Sequence, residues 1–193
     1  MIYTPKIIQE TAQGLSSCNI EDRMLTQREI QLNTEVEHTV VTALVNQLLY
    51  LSRQDPDAPI TLYINSPGGT VQSGMTLYDV MQAIPNPIYT VCTGQASSMA
   101  ALLFAAGRYR SMLPHSKVMV HEPYGLSING DLDRLHSYCE DLEKIQQDYC
   151  QLLAMHTSQP LEKIKEAVHK TTYFTAEEAK AFGLCDEIKT VLK

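Results

Sequence analysis

Apolar residues recur along this chain with two periods, and the switches between them mark its elements. From Val36 to Leu51, the residues Val36, Val40, Leu44, Leu48 and Leu51 return every three or four positions, the spacing of one helical face. Thr34 with Glu37 forms a capping box at its start. Ile60 to Ile64 alternates apolar and polar residues and predicts a strand. Helical spacing returns from Val71 to Ile84, and Pro85-Asn86-Pro87 stops it because proline cannot continue the hydrogen-bond ladder. Ile88 to Cys92 predicts the next strand. Gly94 to Met99 then predicts a turn into an Ala-rich helix ending near Gly107, followed by short strands at Arg110 to Leu113 and Lys117 to His121 around Pro114.

The second half is more helical. Leu132, Leu135, Cys139, Leu142, Ile145, Tyr149 and Leu152 mark one face of a helix from Asp131 to Thr157, which spans about 40 Å at 1.5 Å per residue. That exceeds the width of a small core, so the helix is either kinked or packs its distal part on another subunit; the unpartnered apolar stripe favours oligomerisation. Leu161 to His169 predicts a helix, Thr171 to Phe174 an extended segment, and Thr175 with Glu178 the cap of a last helix closed by Gly183. Strands alternating with helices imply an α/β fold of βαβ repeats, a largely parallel sheet covered by helices.

At 193 residues with 44% hydrophobic content, the chain can bury one substantial core, and a single domain over 1–193 is expected. Lys plus Arg number 15 against 22 Asp plus Glu, a net charge of -7 without any basic run, which argues against nucleic acid as a partner. Apolar stretches are too short and too interrupted to cross a bilayer, and the start of the chain lacks a signal-peptide pattern, so the expectation is a soluble cytoplasmic protein without membrane association. The 5 cysteines show no C-x-x-C pair and fit reduced thiols. His136 and Cys139 share a helical face, but two ligands do not close a metal site.

Chemistry enters at three segments. "NSPGGTVQSG", from Asn65 to Gly74, ends a strand in two glycines and feeds a helix, offering bare backbone N–H groups. It lacks both the G-x-G-x-x-G of a dinucleotide site and the G-K-[ST] of a P-loop, which leaves an oxyanion site or a plain structural turn. "TGQASSMAA", from Thr93 to Ala101, sets two serines among small residues at a helix start, where Ser97 or Ser98 is either a nucleophile or an N-cap. "VMVHEP" ends an apolar strand in His121, which is a base or a hydrogen-bonded core residue.

In this order and at these separations, "YINSPGGTVQSGM", "GQASSMAA" and "VMVHEP" resemble the ClpP family, the proteolytic subunits of the Clp protease. The resemblance extends from "IIQETAQG" to "TYFTAEEAKAFGLCDEI". It implies a ClpP/crotonase-type fold with a protruding handle helix, the handle region covering about 123–158. It also implies that Ser98 is the nucleophile, His121 the general base, and Gly69 and Met99 the oxyanion donors. The family's aspartate lies in an R-D-x-F segment, and aligning "KTTYFTAEEA" without gaps puts Thr171 there. Threonine can accept a hydrogen bond from the imidazole but carries no charge to stabilise the imidazolium, which predicts weakened catalysis. Ala100, where many relatives have glycine, and "GLSING" at 125–130, without the usual double glycine, are further departures that put substrate-binding geometry in question.

The resemblance further implies heptameric rings stacked in pairs as a tetradecamer, self-assembled or mixed with a second ClpP paralogue, enclosing a chamber where unfolded polypeptide is cut to short peptides. A AAA+ unfoldase ATPase would dock in apolar clefts that Tyr63 helps line, and the subunit itself would need no cofactor. The leading expectation is a serine endopeptidase of reduced activity. Its alternatives are a structural or regulatory paralogue that contributes little catalysis, and a crotonase-like acyl-CoA enzyme.

Overall fold

The computed structural model describes residues 6–11, 14–124 and 131–192. Strands β1 (Lys6–Thr11) and β2 (Gly14–Asn19) form an antiparallel hairpin separate from the main sheet, and α1 (Ile20–Thr26) leads from it to β3 (Glu29–Leu32). Periodicity did not predict these elements. The hairpin is mostly exposed and α1 buries no residue, so burial leaves little imprint on their sequence, whereas β3 buries Ile30 and Leu32 but spans only four residues.

The helix predicted from Val36 begins later, as α2 (His38–Gln54), with Glu37 as N-cap and no side-chain cap bond. Val36 is recruited elsewhere. Its N–H donates to Gly68 O at 2.8 Å and its carbonyl accepts from Thr70 N–H at 2.8 Å, forming a parallel bridge to Gly69. The Thr34 hydroxyl turns to the Glu35 carbonyl instead of capping the helix. From His38 onward the helix buries Val41, Leu44, Leu48 and Leu51.

The chain then alternates β4 (Ile60–Ser66), α3 (Val71–Ala83), β5 (Ile88–Ser97) and α4 (Met99–Ala105), followed by β6 (Tyr109–Met112) and β7 (Lys117–Val120). Strand β5 runs past its predicted end at Cys92. Up to Cys92 it pairs with β6, and from Gln95 to Ser97 with β7, so one strand serves two neighbours in succession. Its second part was hidden because Thr93, Gly94 and Gln95 lose the apolar alternation. Helices α5 (Leu132–Thr157) and α6 (Leu161–His169), β8 (Thr172–Thr175), α7 (Ala176–Phe182) and β9 (Glu187–Ile188) complete the described chain.

The main sheet has the order β3-β4-β5-β6-β9, with β7 pairing β5 and β8. Every pair is parallel except β7–β8. The largely parallel α/β architecture expected from the sequence is therefore present. Leu62, Ile64, Cys92 and Met112 of the sheet share one buried core with Leu48 of α2, Leu77 of α3 and the wholly buried α4.

Helix α5 is 26 residues long, with Asp131 as N-cap accepting from Arg134 N–H. Of the predicted apolar stripe only Tyr149 is fully buried, with Cys150, Leu153 and Thr157 of the same C-terminal end, whereas Leu132 is 80% exposed. The capping box of Thr175 and Glu178 and the left-handed Gly183 bound α7 as expected. The "GLSING" segment lies outside the described residues.

Candidate active site

Parallel strands β4, β5 and β7 end at the same edge of the sheet, and each of the three chemistry-bearing segments follows one of them. Open parallel sheets place their sites at this carboxyl edge.

Ser98 occupies the turn between β5 and α4 with φ 55° and ψ −123°, a strained conformation for a residue with a Cβ. Both of its backbone groups are pinned: the N–H donates to Met119 O at 2.7 Å, and the carbonyl accepts from Tyr149 Oη at 3.0 Å. A sharp strand-to-helix turn of this kind lifts the side chain out of the sheet. Ser98 is half-buried and its hydroxyl makes no cap bond, whereas Ser97 is buried within β5 and paired with Met119. The choice between the two serines thus falls on Ser98 as the one presented at the surface.

Gly68 and Gly69 wrap around this turn. At Gly68, with φ 92°, a Cβ would lie 2.5 Å from Ser97 O and 2.7 Å from Ser98 Cβ, so only glycine lets the loop approach. In a parallel bridge the neighbours of the bridged residue make the two hydrogen bonds, here through Gly68 O and Thr70 N–H. The N–H of Gly69 itself therefore faces away from Val36 and has no hydrogen-bond partner among the described residues. Met99 N–H opens α4 and has no acceptor one turn back. Its side chain fills the space left by Gly74, whose Cβ would collide with it.

His121 follows β7, two positions beyond the carbonyl that holds Ser98. Its ring stacks on Tyr124, centroids 5.4 Å apart and planes at 29°, and makes no hydrogen bond among the described residues. The next residue anchors the segment: Glu122 Oε1 pairs with His169 Nδ1 at 3.0 Å and accepts from Gln146 Nε2 at 2.9 Å. The His169 bond, then that from Gln146, holds the Glu122 carboxyl below its ordinary range. Ser98, Met99 and His121 all line one cavity of about 510 Å3, walled by Val71 and Met75 of α3 and by Ile145 and Tyr149 of α5. No hydrogen bond joins Ser98 Oγ to His121; such contacts commonly tighten only when substrate is bound.

Thr171 stands apart from this cavity. It is exposed, with φ 51°, and its N–H donates to Val168 O at 3.2 Å as the first residue beyond the α6 C-cap. The extended segment predicted from Thr171 accordingly starts at Thr172. Val120 pairs with Thr172 across β7–β8, so Thr171 is the residue next to the one opposite Val120, on the His121 side. Its hydroxyl makes no hydrogen bond to the imidazole. Tyr63 lies on β4 away from the cavity and donates to Glu29 Oε1 at 3.3 Å; partial burial, then the Glu29 charge, pushes its phenol upward in pKa.

Gly68 and Tyr149 are site residues that sequence reasoning did not single out. Tyr149 was read as part of an apolar stripe, and nothing local distinguishes a tyrosine whose hydroxyl holds a backbone carbonyl 51 positions away. Among the described residues no group of three or more His, Cys, Asp or Glu is gathered for a metal ion, and no helix is long and apolar enough to cross a membrane.

A strained serine, a histidine and two N–H groups without partners among the described residues gather at one sheet edge of a largely parallel α/β domain. The sequence model of the Clp protease family matches residues 12–191, nearly the whole chain, and the protein belongs to that family. At the family level it is a ClpP-like peptidase.

Proposed function

We propose that this chain is a Clp protease proteolytic subunit, a serine endopeptidase with attenuated intrinsic activity. The observation that carries the reading is Ser98: both of its backbone groups are pinned in a strained turn, and its side chain opens on a cavity it shares with His121. In the proposed reaction Ser98 Oγ attacks the scissile carbonyl while neutral His121 takes its proton, and Gly69 and Met99 N–H receive the oxyanion. The imidazolium then protonates the leaving amine. Water, activated by the same ring, hydrolyses the acyl-enzyme and restores Ser98.

Thr171 supplies no charge to balance the imidazolium. Replacing the acidic member of such a triad in a protease of another fold lowers turnover about 10⁴-fold, partly through the wrong tautomer, which a hydroxyl acceptor avoids. A loss of ~10²–10⁴ follows here, or roughly 3–5 kcal/mol. In this reading the subunit joins stacked heptameric rings in the cytoplasm, alone or with a competent paralogue. A AAA+ unfoldase docked near Tyr63 feeds it unfolded polypeptide, and the exposed N-terminal part of α5 packs against another subunit.

The position of Thr171 favours a second reading, a structural or regulatory subunit whose own site contributes little. A serine-directed fluorophosphonate separates the two. The peptidase reading expects one label per chain, abolished in Ser98→Ala. An unchanged intact mass, alone and in mixed assemblies, would leave the structural role.

A further inference from the structure

The imidazole of His121 has a neighbour to which the proposed reaction gives no role. Tyr124 lies over the face of that ring, with centroids 5.4 Å apart and planes 29° from parallel. Its side chain is 82% exposed, so the contact does not serve to fill the core. The backbone that carries both rings is fixed between them: Glu122 is tied to His169 of α6 and Gln146 of α5, and Pro123 restricts the chain. No carboxylate lies within ion-pair distance of His121 among the described residues, including Asp141 and Asp148 on the α5 wall of the shared cavity.

We infer that Tyr124 is a positioning residue that acts through His121: its π face stabilises the imidazolium that forms as Ser98 gives up its proton, a task to which Thr171 brings no charge. This rests on the peptidase reading. An aromatic face carries partial negative charge and attracts a cation within about 6 Å of its centroid. Neutral imidazole gains less, so the contact strengthens on the way to the transition state, and only such a difference lowers a barrier. Stacking also uses the face of the imidazole and leaves the two nitrogens on its edge to Ser98 and the leaving amine. A cation–π pair at an exposed position contributes about two- to fivefold in rate, which keeps the site attenuated.

The test varies Tyr124 in the full-length protein. Tyr124→Phe keeps a ring with the same face charge, Tyr124→Leu keeps apolar bulk without a π system, and pentafluorophenylalanine in place of Tyr124 keeps the shape while reversing the charge of the face. In labelling by a fluorophosphonate, Ser98 Oγ bonds to phosphorus, fluoride leaves, and the hydroxyl proton passes to His121. At neutral pH the labelling rate should stay within about twofold of the original for phenylalanine, fall about two- to fivefold for leucine, and be lowest for the fluorinated ring. On a fluorogenic peptide, kcat should follow the same order with KM unchanged. Leucine as fast as tyrosine would overturn the inference. So would a fluorinated ring as fast as phenylalanine, which reduces the contact to packing, or a change confined to KM, which moves Tyr124 onto the substrate. Labelling at one rate in every variant sinks the role of Tyr124 alone, whereas no labelling of any of them, the original included, sinks the peptidase reading and this role with it.

Discussion

Thr171→Asp would restore a charge where the site lacks one. The β7–β8 ladder ends at Val120 and Thr172, so residue 171 and His121 are the next residues on the two chains beyond its last pair. A carboxylate reaching 4 Å from an imidazolium gains about 4 kcal/mol at an effective dielectric constant of 20. Residue 171 is exposed, so screening reduces this to ~1–3 kcal/mol, or about 10–10²-fold in rate. The substitution also acts on the backbone. A β-branched residue at φ 51° is strained, and Asp tolerates that region better, which adds about 1 kcal/mol of stability. Thr171→Asn shares the conformational gain without the charge. Kinetics on a fluorogenic peptide at neutral pH and urea unfolding separate the effects: Asp should raise kcat/KM and stability, Asn stability alone. Equal rates for Asp and Asn, both with raised stability, would refute a productive approach of residue 171 to His121. Unchanged stability in both would refute the strain.

Three further outcomes are expected. Gly68→Ala forces a Cβ against Ser97 O and Ser98 Cβ at a left-handed φ, and should cost ~2–4 kcal/mol in urea unfolding and abolish fluorophosphonate labelling; a neutral change would contradict the close approach. Tyr149→Phe leaves the Ser98 carbonyl only the Ala101 N–H as donor, and should cost about 0.5–1.5 kcal/mol and slow labelling, while unaltered labelling would mean the turn holds without the tyrosine bond. Burial, then the Arg110 guanidinium, depresses the pKa of His156, whose Nε2 lies 2.9 Å from Tyr78 Oη. The unfolded chain therefore binds the proton more readily, so the His156 contribution is fully present above about pH 6.5 and is lost as pH falls below it. His156→Gln should flatten that slope in unfolding measured from pH 7.5 to 5; an unchanged slope would assign it to other groups.

Periodic segments with strong burial were legible in the chain itself. Leu44, Leu48 and Leu51 of the α2 face, the proline stop after α3, α6 and the capping box of α7 all stand where their sequence placed them, because side-chain burial at a fixed period and local cap chemistry act over a few residues. Hairpin β1–β2 and α1 left no such imprint, since short exposed elements bury too little to shape their composition, and β3 buries Ile30 and Leu32 but is only four residues long, too short for its alternation to stand out.

The candidate site divides the same way. From order and spacing, the sequence alone singled out the segments proposed to carry its chemistry and determined that an alternating α/β chain would bear them. Only the tertiary structure decided that Ser98 rather than Ser97 faces the cavity, that Gly68 must be bare for the loop to approach it, and that Val36 leaves its helix to brace the glycines. It also decided that Tyr149, far along the chain, holds the turn, and that Thr171 lies just beyond the α6 C-cap with no hydrogen bond to His121. These are contacts between residues remote in sequence, and their free energy depends on close approach in three dimensions, which no local pattern encodes.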